Sequence, residues 1–180
     1  TVYRLFVTAS AAAVLSTGAI FGFFYAWVCS TMWGLDDAAP HVAIEAMRAM
    51  NASVRNIVFA PAFFATPFVL VATAALARRL RLHRAALFFL AAGLVYLVGG
   101  MVLTLAINVP LNDALAAATV PGDTAGAQRV WDDYSGRWQA WNLARTVASG
   151  LALLLATVGV AVAAAGRAAS MPGAASHRGV

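Results

Sequence analysis

Across 180 residues the chain has no lysine, one glutamate and one cysteine, and only 11% of its residues are charged. Each shortage excludes something. A lone cysteine, Cys29, forbids an intramolecular disulfide and reads as a small core residue rather than a nucleophile. A soluble domain carries about 25% charged residues. A chain that is 62% apolar, with a mean hydropathy of +0.80, has more apolar surface than one soluble core hides. The net charge of +5 does not point to nucleic acid, because the twelve arginines sit between apolar runs rather than on one solvated patch. There is no glycine loop to cradle a phosphate, no haem-attachment motif and no Ser-His-Asp arrangement.

What the chain has instead is four stretches free of charge: 5–35, 56–77, 85–112 and 146–166. A helix of roughly 20 residues crosses about 30 Å of hydrocarbon. The expected fold is therefore all-α, a four-helix transmembrane bundle forming one domain over 1–167, with helices at about 5–29, 40–77, 85–107 and 128–166. Residues 168–180, rich in Pro, Gly, Ser and His, read as a tail without fixed structure. The first run is too long for the apolar core of a signal peptide and reads as a retained helix.

The charges label two sides. Arg78, Arg79, Arg81 and Arg84 with His83 fill the link between runs two and three, Arg4 precedes run one, and Arg167 and Arg178 follow run four. All seven acids (Asp36, Asp37, Glu45, Asp113, Asp123, Asp132 and Asp133) lie in the other two connections. Cytoplasmic loops are enriched in basic residues. This predicts a multi-pass protein of the cell membrane with both termini cytoplasmic and helices two and four extended beyond the bilayer on the outer side. Pro40 suits a first helical turn. Beyond it His41, Glu45, Arg48, Asn51 and Arg55 share one face, so an amphipathic stretch leads into helix two. Asn108-Val109-Pro110 predicts the end of helix three, with an exposed loop over 114–127.

Polar residues gather at the acidic end. Trp138, Asn142 and Arg145 follow i, i+4, i+7 and share a helix face, with Arg145 at the edge of a charge-free span. An ionisable group at that depth faces a bundle interior or a cavity; pairing with Asp132, Asp133 or a lipid phosphate is the other reading. Asn108 and Asn112 flank Pro110, either as helix caps or as site residues, and Asn51 and Glu45 come to the same level from helix two. His41 and Glu45, at i and i+4, form a two-ligand pair for a transition metal or a solvated face. Trp27, Trp33, Trp131, Trp138 and Trp141 all fall at this end, as an interfacial belt would. Tyr25 and Tyr96 lie inside the spans, as core or as ligand contacts.

Five elements in order carry a resemblance: Gly18-Ala19-x-x-Gly22; Gly34-Leu35; Ala46-Met47-Arg48-Ala49-Met50-Asn51; Asn108-Val109-Pro110-Leu111-Asn112; and Trp138-x-x-Trp141-Asn142-x-x-Arg145. Together they resemble the anthrone-oxygenase-like family of small integral membrane proteins over nearly the whole chain. The resemblance implies oxidation of a lipophilic anthrone- or quinone-type substrate, with molecular oxygen as co-substrate. Asn51, Asn108, Asn112, Trp138, Asn142 and Arg145 match the motif positions. On that reading Arg145 with Asn108 or Asn142 stabilises an oxyanion, Trp138 or Trp141 stacks on the ring, Asn51 and Asn112 bind substrate, and Glu45 or His41 is the base. Partners would be the lipid bilayer and the small lipophilic substrate. Two other readings fit the same sequence: an accessory subunit of a homo-oligomer or larger membrane complex, and a lipid- or quinone-binding protein without chemistry.

Overall fold

A computed structural model describes residues 2–169, which contain helices and turns and no strand. The tail predicted from 168 onward falls, beyond Ala169, outside the described residues. The elements are α1 (Val2–Ala26), a π-helical turn (Trp27–Thr31), α2 (Met32–Asp36), α3 (Pro40–Ser53), α4 (Phe59–Arg79) and α5 (His83–Val95). Two π-helical segments (Tyr96–Val102, Thr104–Asn108), α6 (Val109–Ala117) and α7 (Thr124–Ala169) complete the chain. Four rods are long and apolar enough to cross a membrane: Val2–Asp36, Phe59–Arg79, His83–Ala117 and Thr124–Ala169.

The rods close into a bundle in which α1 and α5 each pack against both α4 and α7. Small residues set the spacing: a Cβ added at Gly99 would stand 2.5 Å from the Ala148 Cβ, so the third rod and α7 touch nearly backbone to backbone. Phe24, Leu70, Phe89 and Tyr96 fill the interior, whereas Leu15, Phe68, Leu87 and Leu154 face outward. That outward apolar coat suits lipid as the solvent. Several hydroxyls within the rods, though not Ser10, bond back to the carbonyl one turn earlier, as Thr17 does to Ala13 at 2.6 Å and Thr73 to Val69 at 2.7 Å. This satisfies them where no water is present.

At one end the Arg167 guanidinium lies 3.7 Å from the Tyr3 ring centroid, so both ends of the described chain meet there. The link between α4 and α5 joins them. Arg81 takes φ 60°, while the Arg81 and Leu82 amides donate to the Arg78 and Ala77 carbonyls. This is the C-terminal motif that normally places glycine at the left-handed position.

At the other end α2, α3, α6 and the first turns of α7 form a cap with its own core of Met32, Ile44, Met47, Leu115, Trp131 and Trp138. The Asp36 carboxylate accepts from Trp131 Nε1 (2.9 Å), Ser135 Oγ (2.7 Å) and Gln139 Nε2 (2.8 Å), pinning α2 to α7. Arg48 donates to the Leu115 and Ala118 carbonyls, which end α6.

Element boundaries differ from the sequence reading. The helix predicted over 40–77 is broken at 54–58, because the Asn56 side-chain oxygen takes the amides of Val58 (2.8 Å) and Phe59 (3.0 Å) and starts α4 afresh. The third rod does not end at Asn108. It passes through two π-helical segments and restarts as α6 with Pro110 in its first turn, where a missing N–H is tolerated. Helix one likewise runs past residue 29 to Asp36, and the loop expected over 114–127 shrinks to 118–123.

Candidate functional site

Where the cap meets the membrane rods, aromatic side chains from three helices surround a cavity of about 490 Å³, within the usual size of a small-molecule site. Phe23, Phe24 and Trp27 come from the first rod. The π-helical turn begins at Trp27, and such an insertion turns the following side chains relative to a regular helix. Phe59 and Phe63, one turn apart on α4, have ring centroids 5.4 Å apart. Trp138 from α7 packs on Trp27 with centroids 5.0 Å apart. Thr104, Val109 and Asn112 from the third rod and Asn51 from α3 complete the wall.

Arg145 also lines this cavity and is only 5% exposed. Its Nε donates to Asn142 Oδ1 at 2.9 Å, one terminal nitrogen donates to Thr104 Oγ1 at 3.4 Å, and its carbon sits 4.3 Å from the Phe24 centroid and 5.0 Å from that of Trp138. No carboxylate reaches it: among the described residues the ion pair is Arg55–Asp113, at the rim. Pairing of Arg145 with Asp132 or Asp133, one of the alternatives open in the sequence, is thus excluded, and the side chain lines the cavity. Among the described residues no Asp, Glu or His lines the space. A guanidinium held among aromatic faces with neutral partners makes the cavity a cation-walled, apolar box suited to an anionic oxygen on a flat ring.

The other predicted residues divide. Asn142 does not touch the cavity; its Nδ2 donates to the Phe24 carbonyl at 3.3 Å and its oxygen aims the Arg145 fork. Asn108 is fully buried behind the wall, with Nδ2 donating to the Trp138 carbonyl at 3.4 Å and Oδ1 unpartnered. Trp138 is buried with its indole N–H unpartnered, a free donor on a wall residue. Asn51 and Asn112 both line the cavity and are bridged by Tyr134, whose hydroxyl donates to Asn112 Oδ1 (2.9 Å) and accepts from Asn51 Nδ2 (3.5 Å). Trp141 is on the outer surface and away from the cavity. Glu45 is exposed, and His41 Nε2 lies 2.9 Å from the Pro121 carbonyl; neither lines the cavity. Among the described residues no third metal-ligating side chain joins that pair. Tyr96 is core, bonded to the Phe63 carbonyl at 3.0 Å, and Tyr25 faces outward.

Sequence reading missed Tyr134, Thr104 and the Phe23, Phe24, Phe59 and Phe63 wall. Phenylalanine in a span carries no mark that separates a cavity wall from lipid-facing surface. Tyr134 had a signal, four residues before Trp138 on the same face of α7.

A family model described as anthrone oxygenase matches residues 50–155. The matched stretch contains Asn51, Asn112, Trp138 and Arg145 and leaves out His41 and Glu45. No curated relative and no solved structure matches the chain.

Proposed function

The chain belongs to the anthrone oxygenase family, and on that premise we propose that it is a membrane-embedded oxygenase that oxidises a lipophilic, anthrone- or quinone-type aromatic in this cavity. The observation that carries the reading is Arg145, a buried cation without a carboxylate on the wall of an aromatic box.

The chemistry follows from that placement. An anthrone carries a CH2 group across the central ring from a carbonyl, and loss of one proton lets the charge reach that carbonyl through the aromatic rings as an enolate. Arg145 faces the developing oxyanion, oriented by Asn142 and Thr104. Trp138, Trp27 and Phe24 hold the ring plane. Asn51 and Asn112, fixed by Tyr134, bond the polar substituents at the other edge, and the proton leaves to water on their side. The enolate carbon gives its electron pair to molecular oxygen and forms a C–O bond, and the terminal peroxide oxygen takes a proton back from water. The resulting hydroperoxide loses water to leave the new carbonyl, so one O2 is used per quinone formed. The His41–Glu45 pair takes no part in these proposed steps, since neither residue lines the cavity. The arginine-rich end is the cytoplasmic one in this proposal, which puts the cavity toward the outer leaflet.

The test is purified protein in detergent with anthrone and an oxygen electrode. One O2 consumed per anthraquinone formed is the expected result, and Arg145→Ala should lower turnover by about 10²–10³, as loss of an oxyanion donor does. Full turnover by a folded Arg145→Ala protein would sink the assignment. Tight binding of anthrone without oxidation would favour the non-catalytic quinone-binding reading.

A further inference from the structure

The cavity rim is chemically divided. Asn51, Arg55, Asn56 and Asn112 stand on one side, toward the cap, with Ile57 as the apolar exception among them. On the other, Phe64 and Leu105 line the cavity yet are 47% and 45% exposed at the molecular surface. Both lie inside rods that are long and apolar enough to span a membrane. Phe64 is five residues into α4, roughly 7 Å along the axis, and Leu105 is well inside the charge-free stretch 85–112. At that level, within reach of the hydrocarbon boundary set by the spans, exposed apolar side chains of these two rods meet lipid rather than bulk water. Leu105 also sits in a π-helical segment, an irregularity that is frequent at functional sites.

From this we propose that the cavity fills sideways from the bilayer, through a portal between Phe64 on α4 and Leu105 on the third rod. The inference rests on the functional reading above and narrows its substrate. The molecule that enters is the neutral, membrane-dissolved form of a weakly acidic aromatic, because an anion would have to cross an apolar rim unpaired. It becomes the anion only beside Arg145. A water-soluble conjugate of the same ring, carrying a sugar or a sulfate, is excluded at the portal rather than in the pocket.

Two measurements test this on the full chain in lipid nanodiscs. The first needs no substrate. A nitroxide on Ala60→Cys, in a Cys29→Ser background, reports from the cavity wall through its collisions with oxygen, which concentrates in lipid, and with a water-soluble nickel chelate. Oxygen should dominate, and Phe64→Trp with Leu105→Trp should suppress it. The second follows binding of anthrone under nitrogen by quenching of tryptophan fluorescence. The same two substitutions should slow association and dissociation together, on the order of tenfold, with Kd unchanged. Arg55→Trp on the water side should leave both rates as they are. Equal access of the nickel chelate to the label, or slowing by Arg55→Trp in place of the portal substitutions, overturns the proposal. If the nitroxide behaves as expected but anthrone does not bind, the portal stands and the anthrone reading falls. Both tryptophans replace exposed side chains, so folding is little affected.

Discussion

Arg145 shows how function and stability part at a single residue. A guanidinium taken out of water with two neutral hydrogen-bond partners, Asn142 and Thr104, and the faces of Phe24 and Trp138 is a net expense to the fold. Replacing even a paired buried charge with apolar side chains of similar volume is often neutral or stabilising, by about 1–4 kcal/mol, and Arg145 has no countercharge to leave stranded. Arg145→Met should therefore raise the melting temperature in detergent while abolishing oxidation. Arg145→Lys should keep binding but lose most turnover, since a point charge cannot replace a planar fork held at Nε. Tyr134→Phe is a different case. It removes the link between Asn51 and Asn112, so KM for a ring-hydroxylated substrate should rise more than kcat falls, and an unsubstituted anthrone should be little affected. The sequence made Arg145, Asn51, Asn112 and Trp138 legible because polar groups beside a charge-free span need a reason. Asn142 and Asn108 were legible as important but not in role, because spacing gives a shared level and not which side chain reaches the cavity.

Among elements, charge-free runs located every rod, since hydrocarbon thickness leaves little freedom in length. Boundaries failed where one side chain or one extra residue decided the backbone. Asn56 starts α4 by accepting two amides, and no periodicity signals that. The π-helical segments carry the third rod past Pro110, and an i→i+5 register leaves no mark in composition. Two element-scale predictions follow from local geometry. Arg81→Gly should stabilise the α4–α5 link by on the order of 1 kcal/mol, read as a rise in melting temperature, because a non-glycine residue at φ 60° is strained. Gly99→Leu should do the reverse and also lower turnover. It wedges the third rod from α7 at Ala148, three residues beyond Arg145.

Over the whole molecule, the asymmetry of charge was the most informative sequence feature, and the structure adds what each end does. The arginine-rich end is a tight closure of Tyr3, Arg167 and the α4–α5 link. The acidic end is a second small core with its own hydrogen-bonded clasp at Asp36. The cavity sits at the seam between the two cores. That is why neither core alone, nor the sequence of either, announces it.

The 46-residue α7 runs through both regions without a break. Its charge-free stretch 146–166 is bounded by Arg145 and Arg167 and measures roughly 31 Å at 1.5 Å per residue, close to the hydrocarbon thickness of a bilayer. The helix is therefore a ruler with an arginine at each mark. In a bilayer of matching thickness Arg145 rides at the hydrocarbon boundary. A thicker bilayer submerges it, and a thinner one tilts the rod to keep both marks at their interfaces. Turnover measured in nanodiscs of graded acyl length should pass through a maximum near that match. The same protein would then work at different rates in membranes of different thickness, with no change in its sequence.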